Sequence, residues 1–115
     1  MYPEFSEHGA YLVARFSGEI DHHSAGEIKD AVDKYYSQSG RRHIIMDFGD
    51  VTFMDSSGIG MIIGRYKKAG INGGKVYAVG LSPVVGRIFD ISGLRKIISC
   101  HDSVNDVLKG VGHHV

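Results

Sequence analysis

Apolar and polar positions fall into two rhythms along this chain. Ala10-Tyr11-Leu12-Val13-Ala14-Arg15-Phe16-Ser17 is rich in aromatic and aliphatic side chains, which predicts a strand over 10–17 ended by Gly18. A shorter strand around Glu4 to Ser6, turning at His8-Gly9, is placed to pair with it as a hairpin. Ser24-Ala25-Gly26-Glu27 matches a capping box, in which the serine caps and the glutamate reaches back. Ala25, Ile28, Ala31, Val32 and Tyr35 follow at helical spacing, so a helix is expected over 24–37, with Ser39-Gly40 ending it.

The second half repeats the alternation. Residues 43–48 have a continuous apolar middle, as a strand covered on both faces would. Ile59, Ile62, Ile63 and Tyr66 recur at i, i+3, i+4 and i+7, which predicts a helix from Ile59 to Lys68. Gly73-Gly74 precedes a strand over Lys75–Val79. Ser82-Pro83 starts a helix, with serine at the N-cap and proline at its first position, and Gly93 stops it. Ile97-Ile98 suggests a short last strand. Asp102 then caps a helix carrying Val104, Val107, Leu108 and Val111, and the end from about 111 is expected to fray. Strands alternating with helices imply an α/β domain with a largely parallel central sheet.

Bulk composition narrows the function classes. A chain of 115 residues fits one domain. Lys plus Arg and Asp plus Glu both number 13, so no net field draws nucleic acid or anionic membrane to it. The densest basic cluster, Arg65-Tyr66-Lys67-Lys68, sits where it complements a helix C-terminus. The single cysteine, Cys100, excludes an intrachain disulfide. No stretch reaches the roughly 20 apolar residues of a membrane span. Met1-Tyr2-Pro3-Glu4-Phe5 lacks the basic and apolar regions of a signal peptide, so a cytoplasmic location is expected.

The chemistry concentrates at Phe53-Met54-Asp55-Ser56-Ser57-Gly58-Ile59-Gly60, where a strand runs into a helix. A helix start offers unpaired N–H groups and a partial positive charge. A serine there can cap, attack as a nucleophile or accept a phosphate. A nucleophile elbow reads G-x-S-x-G, but Met54 stands where its first glycine belongs. His22, His23, His43 and His101 are candidate bases that sequence alone does not place beside Ser56. Gly58-Ile59-Gly60 with Gly64 approaches a dinucleotide fingerprint, yet the last glycine comes one residue late. Adjacent His22-His23 point apart in regular structure, so they make a poor metal pair. Gly58, Gly60 and Gly64 each cost a helix about 1 kcal/mol relative to alanine. Either close packing on the sheet or a partner's approach accounts for them. Ile59 has the same two readings. A phosphate on Ser56 would add about −1.5 to −2 charges, enough to repel a partner docked on this turn.

These residues resemble the signature of the STAS domain of bacterial anti-sigma factor antagonists. The similarity extends to Gly18-Glu19-Ile20-Asp21-His22-His23, Arg42-His43-Ile44-Ile45, Gly64-Arg65-Tyr66-Lys67 and Ser82-Pro83-Val84-Val85. It closes with Phe89-Asp90-Ile91-Ser92-Gly93-Leu94 and Lys96-Ile97-Ile98. The Asp-His-His and Gly-Arg-Tyr-Lys blocks are most similar to the sporulation branch of that family. Isoleucine stands for leucine at 20 and 59, and Gly26, Cys100 and His113-His114 are not expected from the family.

The resemblance implies one STAS domain over residues 1–115, an α/β fold with a mixed central sheet and helices packed on it. It implies a binding protein rather than an enzyme, with no cofactor of its own. The unphosphorylated form would bind an anti-sigma factor that is also a serine kinase, carrying ADP or ATP, and so free the sporulation sigma factor F. The kinase would phosphorylate the serine after the aspartate, which is Ser56, and a PP2C-type phosphatase with a divalent metal would reverse it. The implied partner contacts are Asp21, His22, Asp55, Ser56, Ser57, Gly58, Ile59 and Gly60. A small-ligand or nucleotide-binding STAS sensor module is the alternative in another class.

Overall fold

The computed structural model describes residues 3–110. The expected fraying from about 111, with Val111, His113 and His114, lies outside the described residues. Among the described residues, five strands form one sheet in the order β1-β2-β3-β4-β5. They are β1 (Glu4–His8), β2 (Tyr11–Ile20), β3 (His43–Met54), β4 (Val76–Val79) and β5 (Ser99–His101). β1 is antiparallel to β2, as the predicted hairpin requires, and the other neighbours are parallel. The helices are α1 (Ala25–Ser39), α2 (Ser56–Ile71), α3 (Pro83–Ser92) and α4 (Val104–Leu108).

The two sheet faces are covered unequally. Leu12, Ala14, Phe16, Ile44, Met46 and Phe48 point into a large core shared with Ile28 and Val32 of α1, Ile62 of α2, and Val85 and Phe89 of α3. Phe48 sits at its centre, with Phe16 and Phe89 each 5.5 Å away, edge to face. Val13, Ile45, Tyr77 and Val79 point the other way and pack with Val107 of α4. Period-two alternation over β2 and β3 therefore feeds two separate clusters, which is why the sequence reads as continuously apolar there.

Several local expectations are corrected. Gly18 does not end β2. It takes a φ of +75° inside the strand, and the pairing with β3 slips between Gly18 and Glu19 before resuming with Glu19↔Phe53 and Ile20↔Met54. β3 likewise runs on to Met54 rather than stopping near 48. In α1 the buried positions are Ala25, Ile28, Val32 and Tyr36. Tyr36, at i+4 from Val32, enters the core and donates to the Arg42 carbonyl at 2.7 Å. Tyr35 stays partly exposed and stacks on Phe5 at 4.3 Å.

The chain ends differ too. Ile97 and Ile98 close a 3-10 turn, donating to the Leu94 carbonyl at 3.0 and 2.8 Å, so the strand begins after them, at Ser99. Ser103, not Asp102, caps α4, its hydroxyl accepting from the Asp106 amide at 3.1 Å. The Ser82-Pro83 start and Gly93 stop of α3 hold as expected, with Ser82 Oγ accepting from the Val85 amide at 3.2 Å.

Candidate functional site

The parallel strands β2 and β3 end together, and the polypeptide leaves both at the same edge of the sheet. Ile20 pairs with Met54, and the Asp55 amide donates to the Ile20 carbonyl at 3.1 Å. The bulge at Gly18 carries β2 this far. The Asp21–Ser24 loop therefore begins beside the start of α2.

Helix α2 begins at Ser56, not Ile59. Asp55 is its N-cap, in extended conformation, and its Oδ1 accepts from the Ser57 amide at 2.8 Å. The Asp55 carbonyl accepts from the Gly58 and Ile59 amides at 3.1 and 3.2 Å. Ser56 occupies the first helical position and is exposed; Ser57 is half-buried. The first turn is thus a capped helix start that presents one hydroxyl outward and turns the next partly inward.

The glycines divide by role. A Cβ on Gly58 would come within 3.0 Å of Met54 Cβ and 3.1 Å of Ile20 Cγ2. Close packing on the sheet explains this residue. It does not explain Gly60 or Gly64, where a Cβ would meet nothing within 4 Å. Both lie within α2 itself rather than in the turn that joins β3 to it, so they form no dinucleotide cradle. Ile59 is half-buried and packs against the main core, which combines its two readings.

The helix face in the core is Gly58, Met61, Ile62, Arg65 and Ala69. The Arg65–Lys68 cluster is expected to complement the helix C-terminus, but Arg65 does not serve there. It is instead buried between α1 and α2, with Nε 2.9 Å from Asp33 Oδ1. The contact is close but misaligned: Nε, Nη1 and Oδ1 make no well-directed hydrogen bond. Lys68 Nζ stands 3.6 Å from the other Asp33 oxygen. No motif signalled this pair, because its partners lie on different helices.

In the neighbouring loop the capping box does not form. Ser24 has helical backbone and no capping hydrogen bond. Its hydroxyl accepts from the Asp21 amide at 3.0 Å and donates to the Glu19 carbonyl at 3.2 Å. Asp21 organises the turn: Oδ1 accepts from the His23 and Ser24 amides at 2.9 and 3.1 Å. The Ser24 amide is the main cause holding the Asp21 carboxyl below its ordinary value; burial opposes it, and the His23 amide adds to it. Asp21 thus shapes the loop, while His22 is exposed, its ring 3.9 Å from that of His23.

The candidate bases do not assemble with Ser56. No imidazole is hydrogen-bonded to Ser56 or Ser57 among the described residues. His43 begins β3, at the opposite end of that strand, where its Nδ1 accepts from the Lys75 amide at 3.0 Å. His101 Nε2 lies 2.9 Å from Ser99 Oγ on β5. No group of His, Cys, Asp and Glu suited to a metal ion occurs among the described residues. No helix among them is long and apolar enough to cross a membrane.

The STAS domain model matches residues 2–107. This chain belongs to the STAS domain family. It is 37% identical over 100 residues to the anti-sigma F factor antagonist of Paenibacillus polymyxa, covering 87% of this chain and 86% of that one. The Bacillus cell fate determinant SpoIIAA in its phosphorylated form superposes with a TM-score of 0.73 at 26% identity, over 95% of this chain and 98% of the other. An anti-sigma factor antagonist from Mycobacterium paratuberculosis gives a TM-score of 0.83 at 26% identity, over 95% and 92% of the two chains. The sheet order and helix placement described above are therefore those of a STAS domain.

Proposed function

We propose that this STAS domain is an anti-sigma factor antagonist switched by phosphorylation of Ser56. The observation that carries the reading is the exposed Ser56 hydroxyl at the first position of a capped helix, in a chain 37% identical to an anti-sigma F factor antagonist. Unphosphorylated, the first turn of α2 and the adjoining loop form the docking surface. Ser56, Ser57, Ile59 and Gly60 contribute from the helix and His22 from the loop. Asp55, Gly58 and Asp21 shape that surface from behind, through the cap, the close packing and the turn.

The partner is an anti-sigma factor with serine kinase activity, in its ADP- or ATP-bound form. Its capture releases the sporulation sigma factor F. A phosphate on Ser56 brings charge and bulk to the docked surface, and the partner leaves. A PP2C-type phosphatase resets the switch. The domain binds and is modified; it performs no reaction of its own and stays in the cytoplasm. A pull-down with the candidate anti-sigma kinase tests this. Retention with ADP and loss after incubation with ATP, with one phosphate added at Ser56, is the expected result. Modification of Ser57 alone, or retention unaffected by ATP, overturns it.

A further inference from the structure

A helix start usually neutralises a phosphate through its free amides. Here those amides are already committed. The Ser57 amide donates to Asp55 Oδ1 at 2.8 Å, and the Gly58 and Ile59 amides donate to the Asp55 carbonyl at 3.1 and 3.2 Å. The Asp55 amide donates to Ile20 of β2 at 3.1 Å. Of the first-turn amides, only that of Ser56 itself is left to a phosphate on Ser56. The Asp55 carboxylate, one residue away, faces the same end of the helix.

We propose that Asp55 is the positioning residue of the switch, holding the Ser57 amide so that a phosphate on Ser56 cannot settle into the helix end. The phosphate then stands outward, opposed by a neighbouring carboxylate and largely unneutralised, where a docked partner meets its full charge. The cap that shapes the unphosphorylated turn is thus also what makes phosphorylation repulsive. This rests on Ser56 being the modified residue.

The test uses full-length protein carrying genetically encoded phosphoserine at 56, so it is independent of any kinase. Phosphorus NMR titration gives the second ionisation of the phosphate, ordinarily near pH ~6. The nearby carboxylate disfavours the dianion, so wild type should titrate highest. Asp55→Asn keeps the acceptor and removes the charge, and should titrate lower by roughly 0.5 pH unit, the size expected for two charges several ångströms apart in water. Asp55→Ala also frees the Ser57 amide and should titrate lower still, with that amide proton moving downfield as the phosphate ionises. Equal titration midpoints in wild type and Asp55→Asn overturn the proposal. So does a Ser57 amide that already follows phosphate ionisation in wild type. If Asp55→Ala fails to fold, the wild-type and Asp55→Asn measurements decide alone. If a kinase instead modifies another residue, the functional reading of Ser56 fails while these titrations stand.

Discussion

Gly58 and Met54 are packed so closely that the helix start and the strand before it act as one unit. A Cβ at Gly58 would lie 3.0 Å from Met54 Cβ and 3.3 Å from its sulfur, with Ile20 Cγ2 at 3.1 Å. Met54 and Ile20 are themselves fully buried, so neither has free space to retreat into. Gly58→Ala should therefore destabilise the domain by about 1–2 kcal/mol, overpacking outweighing the better helix propensity of alanine. Thermal unfolding should show a midpoint several degrees lower. An unchanged midpoint would mean that the strand ends yield more easily than this packing implies.

Gly60 makes the opposite prediction. A Cβ there meets nothing within 4 Å, so Gly60→Ala should stabilise the isolated domain by up to about 1 kcal/mol. If a partner's backbone approaches this face, the same methyl weakens the complex. A raised unfolding midpoint with weaker binding in calorimetry is the expected pair of results. A raised midpoint with unchanged affinity would remove Gly60 from the interface.

The features legible in the sequence are those whose cause is local. Ser82, Pro83 and Gly93 bound α3 as expected, because a cap, a fixed φ and a left-handed stop each act within one turn. The Ser24 capping box matched in sequence and failed in structure, because the turn from β2 lets Asp21 claim the amides first. Gly18 looks the same in sequence whether it ends a strand or bulges it; only the pairing of Ile20 with Met54 decides. In α2 the periodic residues Ile59, Ile62 and Ile63 do face the core, but its fully buried stripe also includes Gly58 and Arg65, which apolar periodicity does not count, while Tyr66 is exposed. At the site, the Asp-Ser-Ser-Gly order was visible, but the division of the glycines into packed and open was not.

Ser56→Asp tests the charge argument. Ser56 is exposed at the first helical position, so an added carboxylate requires no repacking. Affinity for the anti-sigma kinase should fall at least about tenfold, equivalent to roughly 1.4 kcal/mol. Far-UV circular dichroism should be unchanged. Equal affinity for wild type and variant would show that charge at this position does not govern docking. Ser57→Ala is the control and should still gain one phosphate at Ser56 by mass spectrometry.

Arg65 should matter to stability and not to docking. It is buried against Asp33 between α1 and α2, and among the described residues the second cation near Asp33 is Lys68 at 3.6 Å. Arg65→Met strands the carboxylate, whose side chain is 20% exposed, so the loss should be about 2–4 kcal/mol in urea unfolding. Replacing both partners with apolar residues, as in Arg65→Met with Asp33→Leu, should recover part of that loss. A single variant within about 0.5 kcal/mol of wild type would make the pair incidental. Binding of the partner to the folded variants should be unaffected.

The last prediction concerns pH. His43 accepts the Lys75 amide through Nδ1, which requires an unprotonated nitrogen. Its ring clusters with those of Tyr11 at 5.1 Å and Tyr77 at 6.5 Å. Burial, then the charges of Arg42 and Lys75, hold its pKa below the ordinary 6.5. The unfolded chain therefore binds a proton at a higher pH than the folded one. This stabilising contribution is complete above about pH 6.5 and is lost as pH falls from there toward the folded-state value. Urea midpoints measured between pH 7.5 and 5 should decline in wild type. They should decline less in His43→Asn, which keeps a side-chain acceptor without a titrating ring. Parallel declines in the two proteins would place the acid sensitivity elsewhere in the fold.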